Sequence, residues 1–152
     1  MELPPGYRVR FGLTSDLGLL TQFLVRTYTE IFPQQPDFSH LQETARKYFS
    51  LQTPLWWVES LSQTKPVALL WMGNGIDQVT GERYAHIFLL YVTPPHRRQG
   101  IATYLLHLAQ TWAKARGDRQ IGLQVFLDNQ PACNLYQGFG FQSQSVMMLK
   151  KI

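Results

Sequence analysis

The spacing of hydrophobic positions changes several times along the chain, and each change marks an element. Tyr7-Arg-Val-Arg-Phe11 alternates with a period of two, which predicts a first strand. After Thr14-Ser-Asp the apolar residues Leu17, Leu20, Leu24, Tyr28 and Ile31 recur at helical spacing, so a first helix is expected to run to about Phe32 and stop before Pro33. Ser39 followed by Gln42 has the form of a capping box and opens a second helix that buries Leu41, Ala45, Tyr48 and Phe49. Leu55 to Leu61 and Pro66 to Met72 are β-prone apolar runs separated by Ser-Gln-Thr-Lys, which predicts a hairpin. Gly73 to Gly81 reads as a long turn-rich connection to a strand, Tyr84 to Val92, which Pro94-Pro95 ends because proline has no N–H for a ladder. A helix begins near Arg98, with Ile101, Leu105, Leu108, Trp112 and Ala115 on one face and Gly117 past its end. Ile121 to Leu127 is a further buried-type strand. Asn129 caps a short helix with Pro131 in its first turn, ended by Gly138 or Gly140, and Phe141-Gln-Ser and Val146 to Lys150 read as closing strands. The order β-α-α-β-β-β-α-β-α-β predicts mixed α/β architecture, an antiparallel half followed by strand–helix–strand crossovers, with no repeat or linker to divide residues 1–152 into more than one domain.

Composition narrows this further. A chain of 152 residues with 45% hydrophobic, 13% aromatic and only 16% charged residues is an ordered globular protein with a real core. Its apolar stretches are far shorter than the roughly 18–20 residues a membrane helix needs, and the start, Met-Glu-Leu-Pro-Pro-Gly, lacks the basic and apolar regions of a secretory signal, so no membrane contact and a cytoplasmic location are expected. The single cysteine, Cys133, builds neither an internal disulfide nor a thiolate metal cage, and His40 and His107 share no ligand spacing, so no metal is expected. The charge is local: Thr93 to Gln120 holds five Lys and Arg residues against Asp118 alone, and therefore the whole net charge of +4. Lys114, Arg116 and Arg119 suit a helix C-terminus, but Arg97 and Arg98 stand at the start of that helix, where the dipole already favours anions. Such a pair points to an anionic ligand.

Leu89-Leu-Tyr-Val-Thr-Pro-Pro-His-Arg-Arg-Gln-Gly-Ile-Ala102 combines a buried strand, a proline-stopped turn and a glycine-bearing helix start. Free backbone N–H groups, a small residue and arginine together suit a diphosphate, although neither the P-loop pattern nor the dinucleotide-fold glycine pattern is present. Arg97-x-x-Gly100-x-Ala102 after Val92-x-Pro94 resembles the pyrophosphate-binding signature of the GNAT superfamily of N-acetyltransferases. Leu123-x-Val125, Asn129, Ala132, Leu135-Tyr136 and Gly140-Phe141 resemble the family's next block in order and spacing. The resemblance covers roughly Ala85 to Phe141. It implies a twisted, mostly antiparallel sheet flanked by helices, whose fourth and fifth strands splay apart to admit the pantetheine arm of acetyl-coenzyme A. On that picture the cofactor's amides pair with backbone around Leu90, Tyr91 and Val92, and its diphosphate lies on Arg97, Arg98, Gln99, Gly100, Ile101 and Ala102. His96 stands at the rim.

The same resemblance assigns Tyr136 to the thioester sulfur as the acid for the leaving thiolate, against the plain alternative of a core tyrosine. It places Asn129 beside the cofactor, a position where asparagine also serves as a helix cap. An alkyl ammonium, with a pKa of about 10.4, must lose a proton before it attacks. Where many family members carry an acidic residue for this, six positions before Val92, the chain has His86. An imidazole near pKa 6.5 serves as a base directly or through water, the alternative being a strand-end histidine facing solvent. Glu82 and Glu59 are weaker candidates for the base, with a solvated carboxylate as the default for each. Trp56 and Trp57 point to opposite faces, one expected in the core and the other free to line a groove, and Cys133 reads as a small buried hydrophobe. The expected activity is transfer of acetyl to a primary amine, on a peptide, a lysine or a small molecule, by direct attack in a ternary complex, by a monomer or homodimer. A non-catalytic acyl-coenzyme A sensor is the rival, and a nucleic-acid binder the poorer third reading, since no separate basic arm appears. The segment 31–38 either lines the acceptor site or is an interhelical loop.

Overall fold

The computed structural model describes residues 2–63 and 65–152. Five strands, β1 (Tyr7–Phe11), β2 (Leu55–Ser60), β3 (Pro66–Ile76), β4 (Arg83–Val92) and β5 (Ile121–Leu123), form one sheet in sequence order. The first four pair antiparallel, and β5 lies parallel to β4. Four helices cover the sheet: α1 (Leu17–Ile31) and α2 (Leu41–Tyr48) on one face, α3 (Ile101–Arg116) and α4 (Gln130–Phe139) on the other. Because both faces are covered, the strand residues divide between two cores. Trp57, Leu69, Trp71, Leu89 and Tyr91 pack under α1 and α2, whereas Trp56, Leu70, Met72, Ile87 and Val92 pack with Ile101, Leu105 and Ala109 of α3. Trp56 and Trp57 are therefore both core, and neither lines a groove.

The register of β4 shifts once. Trp71 faces Leu89 but Met72 faces Ile87, which leaves Phe88 as the extra residue of a bulge. The bulge exchanges the faces of the strand: Ala85 and Ile87 before it point to the α3 core, and Leu89 and Tyr91 after it point to the α1 core. No helix of the described residues is long and apolar enough to cross a membrane.

Several boundaries differ from expectation, each for a physical reason. β3 continues to Ile76 because Gly73 and Gly75 pair with His86 and Tyr84. A Cβ at Gly73 would lie within 2.0 Å of the Phe88 ring, and one at Gly75 within 2.2 Å of the Tyr84 ring, so these glycines make room for aromatic rings rather than for a turn. The capping box is not formed: Asp37 accepts from the Ser39 amide and His40 stands at the helix start. α3 starts at Ile101, not near Arg98, because the left-handed backbone of Arg98 and Gly100 precedes it. β5 ends at Leu123 instead of Leu127, and the closing strands are not present; residues 141–152 form no strand, and Val146, Met147, Met148 and Leu149 are exposed. A strand exists only when paired, and no strand among the described residues pairs with this segment. The expected hairpin turn includes Thr64, which lies outside the described residues, as does Met1.

Candidate active site

The three-residue length of β5 creates the cleft. β4 and β5 pair only through Ala85 with Ile121, His86 with Gly122 and Ile87 with Leu123, and beyond that point no strand of the described residues pairs with the free side of β4. The Thr93 amide donates to the Val67 carbonyl at 2.8 Å, which fixes the alternation of the β3–β4 ladder. Tyr91 faces β3 in the same way as Thr93. Leu90 and Val92 consequently turn their N–H and C=O groups away from β3, into the gap. An extended ligand with amide groups finds there a ready strand edge.

At the end of that edge the chain forms an anion cradle. The first helical bond of α3 runs from the Tyr104 amide to the Gly100 carbonyl, and the Arg97 amide bonds to Pro94. Between them the N–H groups of Arg98 to Thr103 donate to no group among the described residues. Arg98 has φ of 62° and Gly100 of 84°, left-handed conformations that, with the helix start, turn successive amides toward one point. An added Cβ at Gly100 would meet no atom within 4 Å, so the space above it is open to a ligand. The residues present therefore fit a diphosphate through backbone donors. Tyr7 braces the loop from β1, its hydroxyl lying 2.7 Å from His96 Nδ1 and donating to Gln99 at 3.0 Å. A groove of about 250 Å³ beside it, lined by Thr103, Asn134, Leu135, Gly138 and Phe139, separates α3 from α4.

Arg97 is engaged on every side. Its Nε donates to the Val92 carbonyl at 2.8 Å, and its two terminal nitrogens reach the carboxylate of Glu30 on α1 at 2.7 and 2.9 Å. The Tyr91 hydroxyl donates to the same carboxylate at 2.8 Å. The Arg97 hydrogen bond holds Glu30 below the usual carboxylate range despite partial burial, and burial followed by the Glu30 bond pushes Tyr91 up to about 12. The guanidinium thus ties α1, the end of β4 and the cradle together, leaving Arg98 as the arginine of the loop without an ion pair among the described residues. Glu30 carried no motif; its partner lies 67 residues away, and on a helix that also carries Arg26 four residues earlier nothing local marks it out.

Tyr136 lies on α4 against the α3 core, its ring packed on Phe141. Burial, with a smaller contribution from Cys133, pushes it up to about 12, so its hydroxyl keeps its proton throughout the neutral range. Cys133 is half-buried, and its thiol lies 3.7 Å from the Phe126 carbonyl, linking α4 to the segment after β5. Asn129 accepts from the Ala132 amide at 3.4 Å and is the N-cap of α4.

His86 lies on the opposite face, one residue inside the closed end of the gap. Its ring is packed edge-on between Tyr84 and Phe88, at 6.0 and 5.2 Å between centroids. Nδ1 is buried without a partner, which leaves Nε2 as the reachable nitrogen, and burial lowers its pKa below 6.5. The ring is neutral at pH 7 and able to take a proton. Glu59 is bound by Arg8 at 2.9 Å and Arg10 at 3.0 Å; burial alone would raise its pKa, but the two guanidiniums outweigh it and hold the carboxyl low. It lies on β2, two strands from the gap. Glu82 precedes β4 and faces Arg119 at 3.8 Å.

The model of the acetyltransferase (GNAT) family matches residues 19–141. The chain belongs to this family. It is 31% identical over 119 residues to an aminoglycoside N(6')-acetyltransferase type 1 of Acinetobacter genomosp. 13, which covers 76% of this chain and 81% of that protein. It is 25% identical over 143 residues to an N-alpha-acetyltransferase of Sulfurisphaera tokodaii, covering 93% of this chain and 83% of the relative. Among solved structures, a predicted acetyltransferase with acetyl-CoA from Clostridium acetobutylicum superposes with a TM-score of 0.75 at 20% identity, covering 95% of this chain and 96% of that one. That likeness is one of fold.

Proposed function

We propose that this GNAT protein transfers an acetyl group from acetyl-coenzyme A to a primary amine in a ternary complex. The observation that carries the reading is the run of free backbone groups, from Leu90 and the Val92 N–H in the gap, the Val92 carbonyl being taken by Arg97, to the free N–H run over residues 98–103. The spacing of polar groups suits a pantetheine arm followed by a diphosphate. The thioester supplies an activated acyl carbon: the amine lone pair forms the C–N bond as the C–S bond breaks, giving an amide and the free thiol.

The chain's residues account for the remaining work. Leu90, Tyr91 and Val92 hold the arm through backbone, and Arg98, Gln99, Gly100, Ile101 and Ala102 hold the anion through N–H groups. Arg97 keeps Val92 and the cradle in register by way of Glu30. Asn129 starts the helix that presents Tyr136 to the sulfur. Full transfer from a hydroxyl at about 12 to a thiolate of ordinary pKa about 8.5 is uphill by about 5 kcal/mol, so Tyr136 acts first as a hydrogen-bond donor to the departing sulfur. His86 Nε2 takes the amine's proton. It does so directly or through water. The free thiol of Cys133 fits a reducing compartment, and a cytoplasmic location goes with this reading.

Incubation with acetyl-coenzyme A and a panel of amines tests the proposal. The expected result is stoichiometric thiol release with a product heavier by one acetyl group; cofactor binding with no transfer to any amine would refute it.

A further inference from the structure

The face by which an amine reaches the gap is built from aromatic rings. Cofactor groups held by the α3 cradle and by Tyr136 approach from the α3 and α4 side, so a nucleophile must come from the α1 and α2 side. There Phe126, which follows β5 across the gap, meets Phe32 at 4.9 Å and Tyr28 at 6.3 Å between centroids, both edge to face. Tyr28 in turn stacks on Phe32 and leans on Phe38. Phe32 and Phe126 remain 37% and 47% exposed, so the rings stand at a mouth and not in a closed core. Phe126 lies beyond the last ladder pair of β5, and no strand partner holds it. Each ring pair contributes only about 0.5–1.5 kcal/mol, so the contacts part readily for a guest that replaces them in kind.

The charges on this face point the same way. Asp16, Glu30, Glu43, Glu59, Glu82 and Asp118 each lie within ion-pair distance of an arginine. Of the two exposed carboxylates next to these aromatic residues in sequence, that of Asp37 accepts from the Ser39 amide, and no hydrogen bond or ion pair involves that of Asp128 among the described residues. Both are exposed and neither faces an arginine, and two such carboxylates fall short of the several ammonium groups of an aminoglycoside.

We infer that the acceptor is a monoamine carrying an apolar group of aromatic size, seated between Phe32, Tyr28 and Phe126. The inference rests on the acetyl-transfer reading above and goes against carrying over the aminoglycoside substrate named for the Acinetobacter relative. An arylalkylamine and a peptide with an N-terminal phenylalanine share this chemistry.

The test compares kcat/KM for 2-phenylethylamine, ethylamine, a Phe-initiated tripeptide, a Gly-initiated tripeptide and an aminoglycoside, with calorimetric coenzyme A binding measured in parallel. The aromatic member of each pair is expected to exceed its small partner by about tenfold or more. Whichever aromatic arm is faster identifies the source. Phe126→Ala and Phe32→Ala should raise KM for the aromatic acceptor while leaving KM for acetyl-coenzyme A within about twofold, and Phe126→Leu should recover part of the loss. Preference for the aminoglycoside, or an equal loss for aromatic and small amines in both variants, overturns the inference while coenzyme A binding still supports the cofactor site. Failure of the wild type to bind coenzyme A overturns the underlying reading as well.

Discussion

Gly100→Ala separates ligand binding from folding at the cradle. Gly100 has φ of 84°, and the new Cβ would meet no protein atom within 4 Å, so the free protein bears only the backbone cost of a left-handed alanine, about 1–2 kcal/mol. For a chain of this size that lowers Tm by about 2–8 °C and leaves the fold intact. The bound state loses more. The methyl group enters the open space over the cradle, and any relaxation of residue 100 toward ordinary φ turns its N–H away from the common point. Loss of one charge-assisted hydrogen bond, about 1.5–3 kcal/mol, predicts coenzyme A binding weaker by about 10- to 100-fold. Calorimetric titration with coenzyme A measures this, and pantetheine, which has no diphosphate, should bind both proteins alike. A folded variant with wild-type affinity for coenzyme A would show that the diphosphate does not rest on these amides.

Tyr136→Phe should preserve coenzyme A affinity and fold while lowering kcat about 10²-fold under conditions where chemistry limits the rate; undiminished turnover removes the hydroxyl from the mechanism. At saturating cofactor and limiting amine, the rate should rise with pH through an ionisation below 6.5, the direction in which burial moves His86, and His86→Ala should abolish that limb while the limb from the amine's own deprotonation persists. A superimposable profile would return the proton to water. Asp16 and Glu30, held low first by their arginines, and Glu59, held low against its burial, carry folded pKa values below the ordinary 3.8 and 4.5. Their contribution to stability is complete above those ordinary values and is lost as pH falls through the folded ones, so denaturant titrations should show a decline beginning near pH 4.5 that Arg10→Ala makes shallower, and an unchanged slope would contradict it.

What the sequence discloses follows the range of the interaction concerned. Arg97 to Ala102 and the block around Tyr136 are legible because strand, turn, helix start and cap are all specified within a few residues of one another. The extent of the unpaired run, residues 98–103, is less legible, because it depends on the left-handed backbone of Arg98, which the sequence does not announce. By contrast, Gly73 and Gly75 read as a turn because nothing local discloses that Phe88 and Tyr84 lie across them. The bulge at Phe88, which decides the face on which Tyr91 meets Glu30, depends on pairing with β3 and has no signature within β4 itself. The role of Glu30 is invisible for the same reason. Val146 to Lys150 has strand-like residues but lacks an edge to join, and composition alone cannot supply a partner.

The central claim is that one line of unpaired backbone, running from the gap to the cradle, receives acetyl-coenzyme A. Amide hydrogen exchange resolved by residue, with and without saturating coenzyme A, measures those groups themselves. The account predicts that the ligand slows exchange at Leu90, Val92 and residues 98–103, while residues 142–152, exposed and unpaired, exchange rapidly in both states. Protection confined to other segments, with Leu90, Val92 and the cradle unchanged in the presence of bound ligand, would contradict it.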